Sequence, residues 1–214
     1  LGRLLGLKYN TGYTSTRKLI SYIKKLSPDM VHVHCPNSNS VNIPGLLTFL
    51  KKANIPTVVT NHGEFFYTGN CPHSYDCMKF QTGCGSCDYV FDSHRRYLFD
   101  RTAFEWRKMK KAFDGFERIR LVAVSPWQEA RLKLSPITNQ LPACVIKNGV
   151  DTEVFQYRKA ASFAKAGAGY DGIVLHVTSL FSKDAEDLKG GRFLIQLAEK
   201  MPSILFVVCG KSLI

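Results

Sequence analysis

Four cysteines lie within 17 residues and have the spacing of a metal site. The pattern is Cys-x5-Cys-x6-Cys-x2-Cys, formed by Cys71, Cys77, Cys84 and Cys87. The two-residue interval in the second pair lets both thiolates bind one ion, and Gly85 relieves the turn between them. Four thiolates suit a tetrahedral zinc ion that keeps no open position, as in structural sites. The spacing therefore predicts a structural zinc ion that organises the cysteine-rich loop, residues 63–92.

Other states of these thiols remain open at this point. Two disulfide bonds are one alternative, and an iron–sulfur cluster or unligated thiols are others. His73 lies inside the loop and is a candidate substitute ligand. The remaining cysteines lie in or beside apolar runs, as small buried hydrophobic side chains do; they are Cys35, Cys144 and Cys209.

Histidines follow two predicted strands at the positions where parallel sheets bind ligands. His62 precedes Gly63, which would let the imidazole and the backbone approach a ligand closely. A histidine that only caps the strand is the alternative. His32 and His34 share one face of the preceding strand and are a possible metal pair. Packed or hydrogen-bonded histidines are the favoured interpretation of that pair.

A third candidate site precedes the last predicted helix. Gly190 and Gly191 leave the first backbone N–H groups of that helix uncovered, and the helix dipole favours an anion there. Lys189 adds a positive charge at the same place. We therefore predict that Lys189 and Gly190 bind phosphate, with a plain polar turn as the alternative. The segment is not a P-loop, because the full Walker spacing is absent.

Alternating helices and strands must position these residues. Apolar positions at helical spacing predict helices near residues 16–26, 44–51, 127–134 and 191–200. Short apolar runs predict strands near residues 30–34, 57–60, 120–124, 143–146, 173–177 and 204–208. This alternation is typical of βαβ units, so we expect an α/β fold with parallel sheets covered by helices.

The length of 214 residues corresponds to roughly one and a half domains. We expect a nearly complete amino-terminal Rossmann-like domain over residues 1–156 and a linker over 157–172. A second, similar domain would begin in residues 173–214. The chain starts at Leu1 without methionine or a recognisable signal peptide, so we expect it to be part of a longer protein.

The net charge of +12 indicates an anionic partner, such as a phosphate-bearing substrate, lipid head groups or nucleic acid. A hydrophobic content of 45% excludes wholesale disorder. No apolar run approaches the ~18 residues that a membrane-spanning helix needs. There is no RNA-recognition or helix-turn-helix signature, and the basic residues are not interleaved with stacking aromatics, which argues against nucleic acid.

Residues 101–113 predict an amphipathic helix. Trp106, Met109 and Phe113 fall on one face. Basic residues surround the rest; they are Arg101, Arg107, Lys108, Lys110 and Lys111. Peripheral membrane helices use this pattern, with aromatics in the interface and cations toward anionic lipid. A core-facing stripe with a solvated basic face is the alternative.

Eight segments, taken in order, resemble family-four retaining glycosyltransferases of bacterial capsule and exopolysaccharide synthesis. The first four are Tyr-Thr-Ser-Thr-Arg at 13–17, Pro-Asp-Met-Val-His-Val-His at 28–34, Asn-Ile-Pro at 42–44 and Val-Thr-Asn-His at 59–62. The others are Phe-Tyr-Thr-Gly-Asn-Cys at 66–71, Thr-Gly-Cys-Gly-Ser-Cys at 82–87, Val-Ala-Val-Ser-Pro-Trp at 122–127 and Asn-Gly-Val-Asp-Thr-Glu-Val-Phe at 148–155. The ordered set covers roughly residues 10–210.

The resemblance implies a GT-B fold, in which an acceptor domain and a nucleotide-sugar domain face each other across a cleft. It implies sugar transfer with retention and no catalytic metal. His62 matches the family's histidine beside the donor sugar, and Lys189 matches its lysine on the donor diphosphate. Acceptors in this family are often lipid-linked glycans, so we expect a cytoplasmic protein that associates with the inner face of the membrane.

Departures from the family pattern bear on activity. Gly63 stands where relatives commonly have aspartate, and residues 179–181 lack an arginine that often pairs with the lysine. The family's first strand with its glycine-rich loop and its paired glutamates would lie outside the chain, so we expect a fragment that is incomplete for activity. A non-catalytic carbohydrate-binding relative is the main alternative. A basic zinc-containing nucleic-acid-binding protein is a weaker one.

Overall fold

The structure is a computed structural model that describes residues 5–36, 40–88, 99–157, 167–182 and 189–212. The chain divides into two compact units, Leu1–Gly149 and Val150–Ile214. Most of the predicted linker, residues 158–166, lies outside the described residues, as do residues 89–92 of the cysteine-rich loop.

The first unit alternates helices and strands along the chain. Its elements are α1 (Tyr13–Leu26), β1 (Val31–His34), α2 (Ile43–Lys52), β2 (Thr57–Asn61), α3 (Phe65–Thr68), a 3-10 turn (Lys79–Gln81), α4 (Thr102–Phe113), β3 (Ile119–Ala123), α5 (Pro126–Leu134) and β4 (Ala143–Val145). The second unit contains β5 (Gly172–Phe181), α6 (Gly191–Lys200) and β6 (Ile204–Ser212).

Four strands of the first unit form a parallel sheet in the order β1-β2-β3-β4. Val33 pairs with Val59, and Val59 in turn pairs with Leu121. Since all four strands run in one direction, their carboxyl ends meet at a single edge of the sheet. In the second unit, β5 and β6 pair in parallel. The expected α/β architecture, with a Rossmann-like parallel sheet as in the amino-terminal domain of a GT-B fold, is confirmed.

Helix starts follow from local sequence. At α2, the Asn42 side chain accepts a hydrogen bond from the backbone N–H of Gly45 at 2.7 Å. At α5, the Ser125 hydroxyl accepts one from the N–H of Gln128 at 3.2 Å, and Pro126 occupies the first helical position. Both caps satisfy N–H groups that have no partner within the helix.

A buried carboxylate joins α4 to the segment before α1. Glu105 is almost fully buried and accepts hydrogen bonds from the backbone N–H of Tyr9 and from Asn10 Nδ2, both at 3.0 Å. Burial raises the pKa of Glu105, and the hydrogen bonds oppose that shift. The carboxylate thereby satisfies two buried donors and fixes the segment that leads into α1.

The apolar stripe of α4 packs into the core. Trp106, Met109 and Phe113 are all buried, and α2 packs against the same helix. The hypothesis that these side chains enter a membrane interface is therefore wrong. A stripe that packs into the core has the same helical periodicity as a membrane-facing stripe. The basic side chains of α4 are exposed, which confirms the alternative of a solvated basic face. Within the described residues, no helix has the length and apolar character to cross a membrane.

Two cysteines outside the cysteine-rich loop are exposed. Cys35 follows the end of β1 with a positive φ of 38°, and Cys209 lies on an exposed part of β6. The expectation that they are buried hydrophobic side chains is wrong. Cys35 lies past the end of β1, and for Cys209 an apolar run does not determine which face of the strand the residue occupies. Cys144 is half-buried.

Candidate functional site

Three histidines form a hydrogen-bonded chain at the carboxyl edge of the first sheet. His34 Nδ1 lies 3.1 Å from His62 Nε2, and His34 Nε2 lies 3.3 Å from His32 Nδ1. This series of hydrogen bonds ends at Thr60, whose hydroxyl lies 2.8 Å from His32 Nε2. We call His32, His34 and His62 the histidine chain.

Strand register brings these three rings together. His32 lies opposite Val58 and His34 opposite Thr60 in the parallel pair of β1 and β2. Alternate residues of a strand share a face, so His62, two residues beyond Thr60, continues on the face that His34 occupies. The rings are tilted against one another, with centroids 4.0 Å and 5.3 Å apart.

The histidine chain uses both ring nitrogens of His34, so an intact chain leaves that ring no nitrogen for a metal. Throughout the ranges that the structure describes, no group of three or more His, Cys, Asp or Glu side chains is arranged to hold a metal ion. The favoured interpretation of His32 and His34 as hydrogen-bonded residues is confirmed.

The histidine chain can take up one extra proton without losing a hydrogen bond. Three neutral imidazoles carry three N–H protons, and the chain has four positions for them: two between rings, one facing Thr60 and one on His62 Nδ1. A fourth proton fills the last position, whereas a fifth would place two protons in one N···N contact. Burial lowers the pKa of His32. The neighbouring charges of His34 and His62 lower it further.

A buried ion pair fixes the loop that follows His62. Glu64 and Arg131 are both buried, and Arg131 Nε lies 3.3 Å from Glu64 Oε2. The Ser74 backbone N–H donates to Glu64 Oε1 at 3.1 Å. The Ser74 hydroxyl donates to Glu64 Oε2 and accepts from Arg131 Nη2. Sequence analysis missed this network, since nothing in the local pattern distinguishes Glu64 or Arg131 from surface charges.

Aromatic rings and a neighbouring phenol surround the ion pair. The guanidinium carbon of Arg131 lies over the ring of Phe80 at 4.9 Å and over that of Trp127 at 5.1 Å. Burial and the charge of Glu64 raise the pKa of Tyr67 well above its usual range. Tyr67 therefore stays a neutral phenol.

A second connection joins the loops after β2 and β3. Gln128 Nε2 donates to the carbonyl oxygen of Gly63 at 3.5 Å, and Gln128 Oε1 accepts from the N–H of Val124 at 3.0 Å. The residue after His62 is thus attached to the first turn of α5.

The model of Glycosyltransferase Family 4 matches residues 3–154, which contain the parallel sheet, the histidine chain and the cysteine-rich loop. The match covers more than half of the chain. The chain belongs to glycosyltransferase family 4. Among curated proteins and solved structures, no match is found.

In this family 4 chain, the four loop cysteines all lie in the described residues, and no disulfide bond joins them. Burial raises the pKa of Cys84 to about 12, and the charges of Cys71, Cys77 and Cys87 add to that effect. The four described cysteines are not arranged around a common metal position in the structure. Zinc coordination by these residues, or with His73 in place of one of them, would require their side chains to rearrange and stays a prediction.

The second unit places Lys189 and Gly190 directly before α6. Gly190 adopts a left-handed conformation with φ 78°, and its carbonyl accepts the first helical hydrogen bond from Leu194 N at 3.0 Å. As a glycine, Gly190 has no side chain with which to cap this helix. Phosphate binding by Lys189 and Gly190 stays a prediction. His62 and Lys189 lie in different units, and their placement on two walls of one cleft also stays a prediction.

The position of His32 in the histidine chain predicts its titration. Burial and the neighbouring charge of His34 lower the pKa of His32 below the ordinary 6.5, and NMR with isotope-labelled histidine should show this. Replacing His34 by alanine removes one of these causes and should bring the pKa of His32 closer to the ordinary value. A pKa of His32 at or above 6.5 in the unmodified protein would contradict the arrangement.

Proposed function

We propose that the protein is a retaining glycosyltransferase that moves a sugar from a nucleotide-sugar to a glycan or lipid-linked acceptor. The observation that carries this proposal is the histidine chain, which presents His62 at the carboxyl edge of the sheet within the family 4 match. We further infer an acceptor in bacterial capsule or exopolysaccharide synthesis and a cytoplasmic location.

In this proposal His62 contacts the donor sugar. Its Nε2 is engaged by His34, so Nδ1 is the nitrogen that faces a ligand. When the chain holds its extra proton, His62 Nδ1 carries hydrogen and donates to a sugar hydroxyl. His34 and His32 position His62, and the Thr60 hydroxyl is hydrogen-bonded to the far end of the histidine chain.

Lys189 and Gly190 bind the donor diphosphate in this proposal. When the bond from the anomeric carbon to the diphosphate breaks, negative charge accumulates on the departing phosphate oxygen. The Lys189 ammonium and the positive end of the α6 helix dipole would stabilise that charge. The stabilisation grows as the bond breaks, so it lowers the barrier to transfer.

Substitutions in the complete protein distinguish the role of Lys189 in binding the diphosphate from the role of His62 in sugar transfer. Lys189→Ala should weaken binding of a nucleoside diphosphate by about 1–3 kcal/mol, the range for a hydrogen bond to a charged group. Lys200→Ala, at the other end of α6, is the matched control and should leave binding unchanged. His62→Ala should lower turnover more than donor affinity. Isothermal titration and steady-state kinetics measure these effects, and unchanged donor affinity in Lys189→Ala would remove Lys189 from the site.

The four loop cysteines are proposed to bind one structural zinc ion. The Cys-x5-Cys-x6-Cys-x2-Cys spacing supports this, because it is typical of sites in which four thiolates bind one tetrahedral zinc ion. Elemental analysis of protein purified without added metal should show about one zinc per chain. Cys87→Ser should lose the metal, and Cys35→Ser, at an exposed thiol outside the loop, should keep it. A disulfide at Cys84 in protein kept reduced throughout would contradict the proposal.

The exposed basic face of α4 supports an electrostatic association with anionic membranes. Each basic residue near such a surface contributes roughly 1 kcal/mol, and salt screens the attraction. The protein should therefore sediment with anionic vesicles at low salt and be released at high salt. Replacing Arg107 and Lys110 by glutamate should reduce the fraction of protein that sediments more than replacing Lys18 and Lys25 on α1 by glutamate does. Equal binding to neutral vesicles would contradict an electrostatic attraction.

A further inference from the structure

Trp127 is an exposed aromatic side chain at the carboxyl edge of the first sheet. It is the second residue of α5 and is 58% exposed, whereas Trp106, the other tryptophan, is 8% exposed. An indole that stays exposed does not gain the stabilisation that burial of its large apolar surface would give. Its exposure leaves the ring accessible to a ligand at this edge.

Neighbouring strands place Trp127 and His62 at the same edge. Asn61 and Ala123 are paired in the register of β2 and β3. His62 directly follows the first of these residues, and Trp127 follows the second after a short turn. The hydrogen bond from Gln128 to the Gly63 carbonyl ties these two loops together beside both side chains.

The side chain of Arg131 lies against one face of the Trp127 indole. The guanidinium of Arg131 lies over the Trp127 ring, with Cζ 5.1 Å from the ring centroid. Arg131 is itself buried, paired with Glu64 and hydrogen-bonded to Ser74. The ring thus lies against a buried, ion-paired side chain on one side, while more than half of Trp127 is exposed. Preorganisation of this kind lowers the entropy lost when a ligand stacks on the ring.

The chemistry of this surface suits a neutral sugar. A pyranose ring has an apolar face of C–H groups that packs on an aromatic ring, while its hydroxyls remain hydrated. The charge of Arg131 is balanced by Glu64, so the platform offers no net positive charge to a phosphate. The basic residue assigned to the donor diphosphate, Lys189, belongs to the second unit.

We propose that Trp127 is the platform on which a neutral sugar ring of the acceptor stacks. This inference rests on the proposed glycosyltransferase function and specifies its acceptor as a glycan whose binding depends on one aromatic face. The same position beside His62 would hold the acceptor sugar near the reacting centre.

Sugar binding without any nucleotide tests the platform separately from catalysis. The probes are the methyl β-glycosides of glucose, galactose and N-acetylglucosamine. Their binding to the whole chain is measured by saturation-transfer NMR. We expect a saturable signal from at least one glycoside and protection of Trp127 fluorescence from acrylamide, which quenches an exposed indole but not Trp106. These readouts do not require transfer activity, so failure of the proposed catalysis would leave them intact.

Two variants make the assignment specific. Trp127→Leu should weaken glycoside binding roughly 3- to 10-fold, in line with an aromatic contact, while Trp127→Phe should retain part of it. Tyr22→Leu, which removes an aromatic ring that is 59% exposed on α1, is the matched control and should bind as the unmodified chain does. An equal signal from Trp127→Leu, or no saturable signal with any of the three glycosides, would overturn the proposal.

Discussion

Two opposite charges, Glu64 and Arg131, are buried together beside the carboxyl edge of the sheet, and the arrangement of the site depends on their pairing. Taking an ion out of water costs several kcal/mol unless a partner and hydrogen bonds compensate. Ser74 supplies those hydrogen bonds to both charges. The pairing therefore holds the loop that carries Glu64 against the helix that carries Arg131.

This pairing links three features that are distant in the sequence. Glu64 lies two residues after His62, Ser74 belongs to the cysteine-rich loop, and Arg131 supports the indole of Trp127. The parallel sheet provides the common edge, and the ion pair fixes how the loops leave it. A family 4 glycosyltransferase chain thus gains a preorganised surface in its first unit from one buried contact.

Much of the fold was predictable from the sequence because it depends on local periodicity. The α/β alternation, the parallel strands and the turn before α6 all follow from short patterns, and so do the strand-end positions of His34 and His62. The contact between these two histidines also needs the register of β1 against β2, which no local pattern specifies. Glu64 and Arg131 were missed for the same reason, since their partnership is set by tertiary structure alone.

Other expectations failed where one pattern has two physical causes. The stripe of Trp106, Met109 and Phe113 has the same period whether it faces a core or a membrane, and in this chain it faces the core. Cys35 is a small apolar side chain beside a strand, yet it is exposed because it lies past the end of β1. Burial depends on which elements cover a residue, and the sequence around the residue does not contain that information.

A double-mutant cycle on Glu64→Gln and Arg131→Met tests most directly whether the buried pair holds the site together. The free energy of unfolding, measured by chemical denaturation, should fall by about 3–5 kcal/mol in each single variant, because each leaves an uncompensated buried charge. The double variant should be much less destabilised than the sum of the two. Effects that add within about 0.5 kcal/mol would show that the two side chains act independently and would contradict the account.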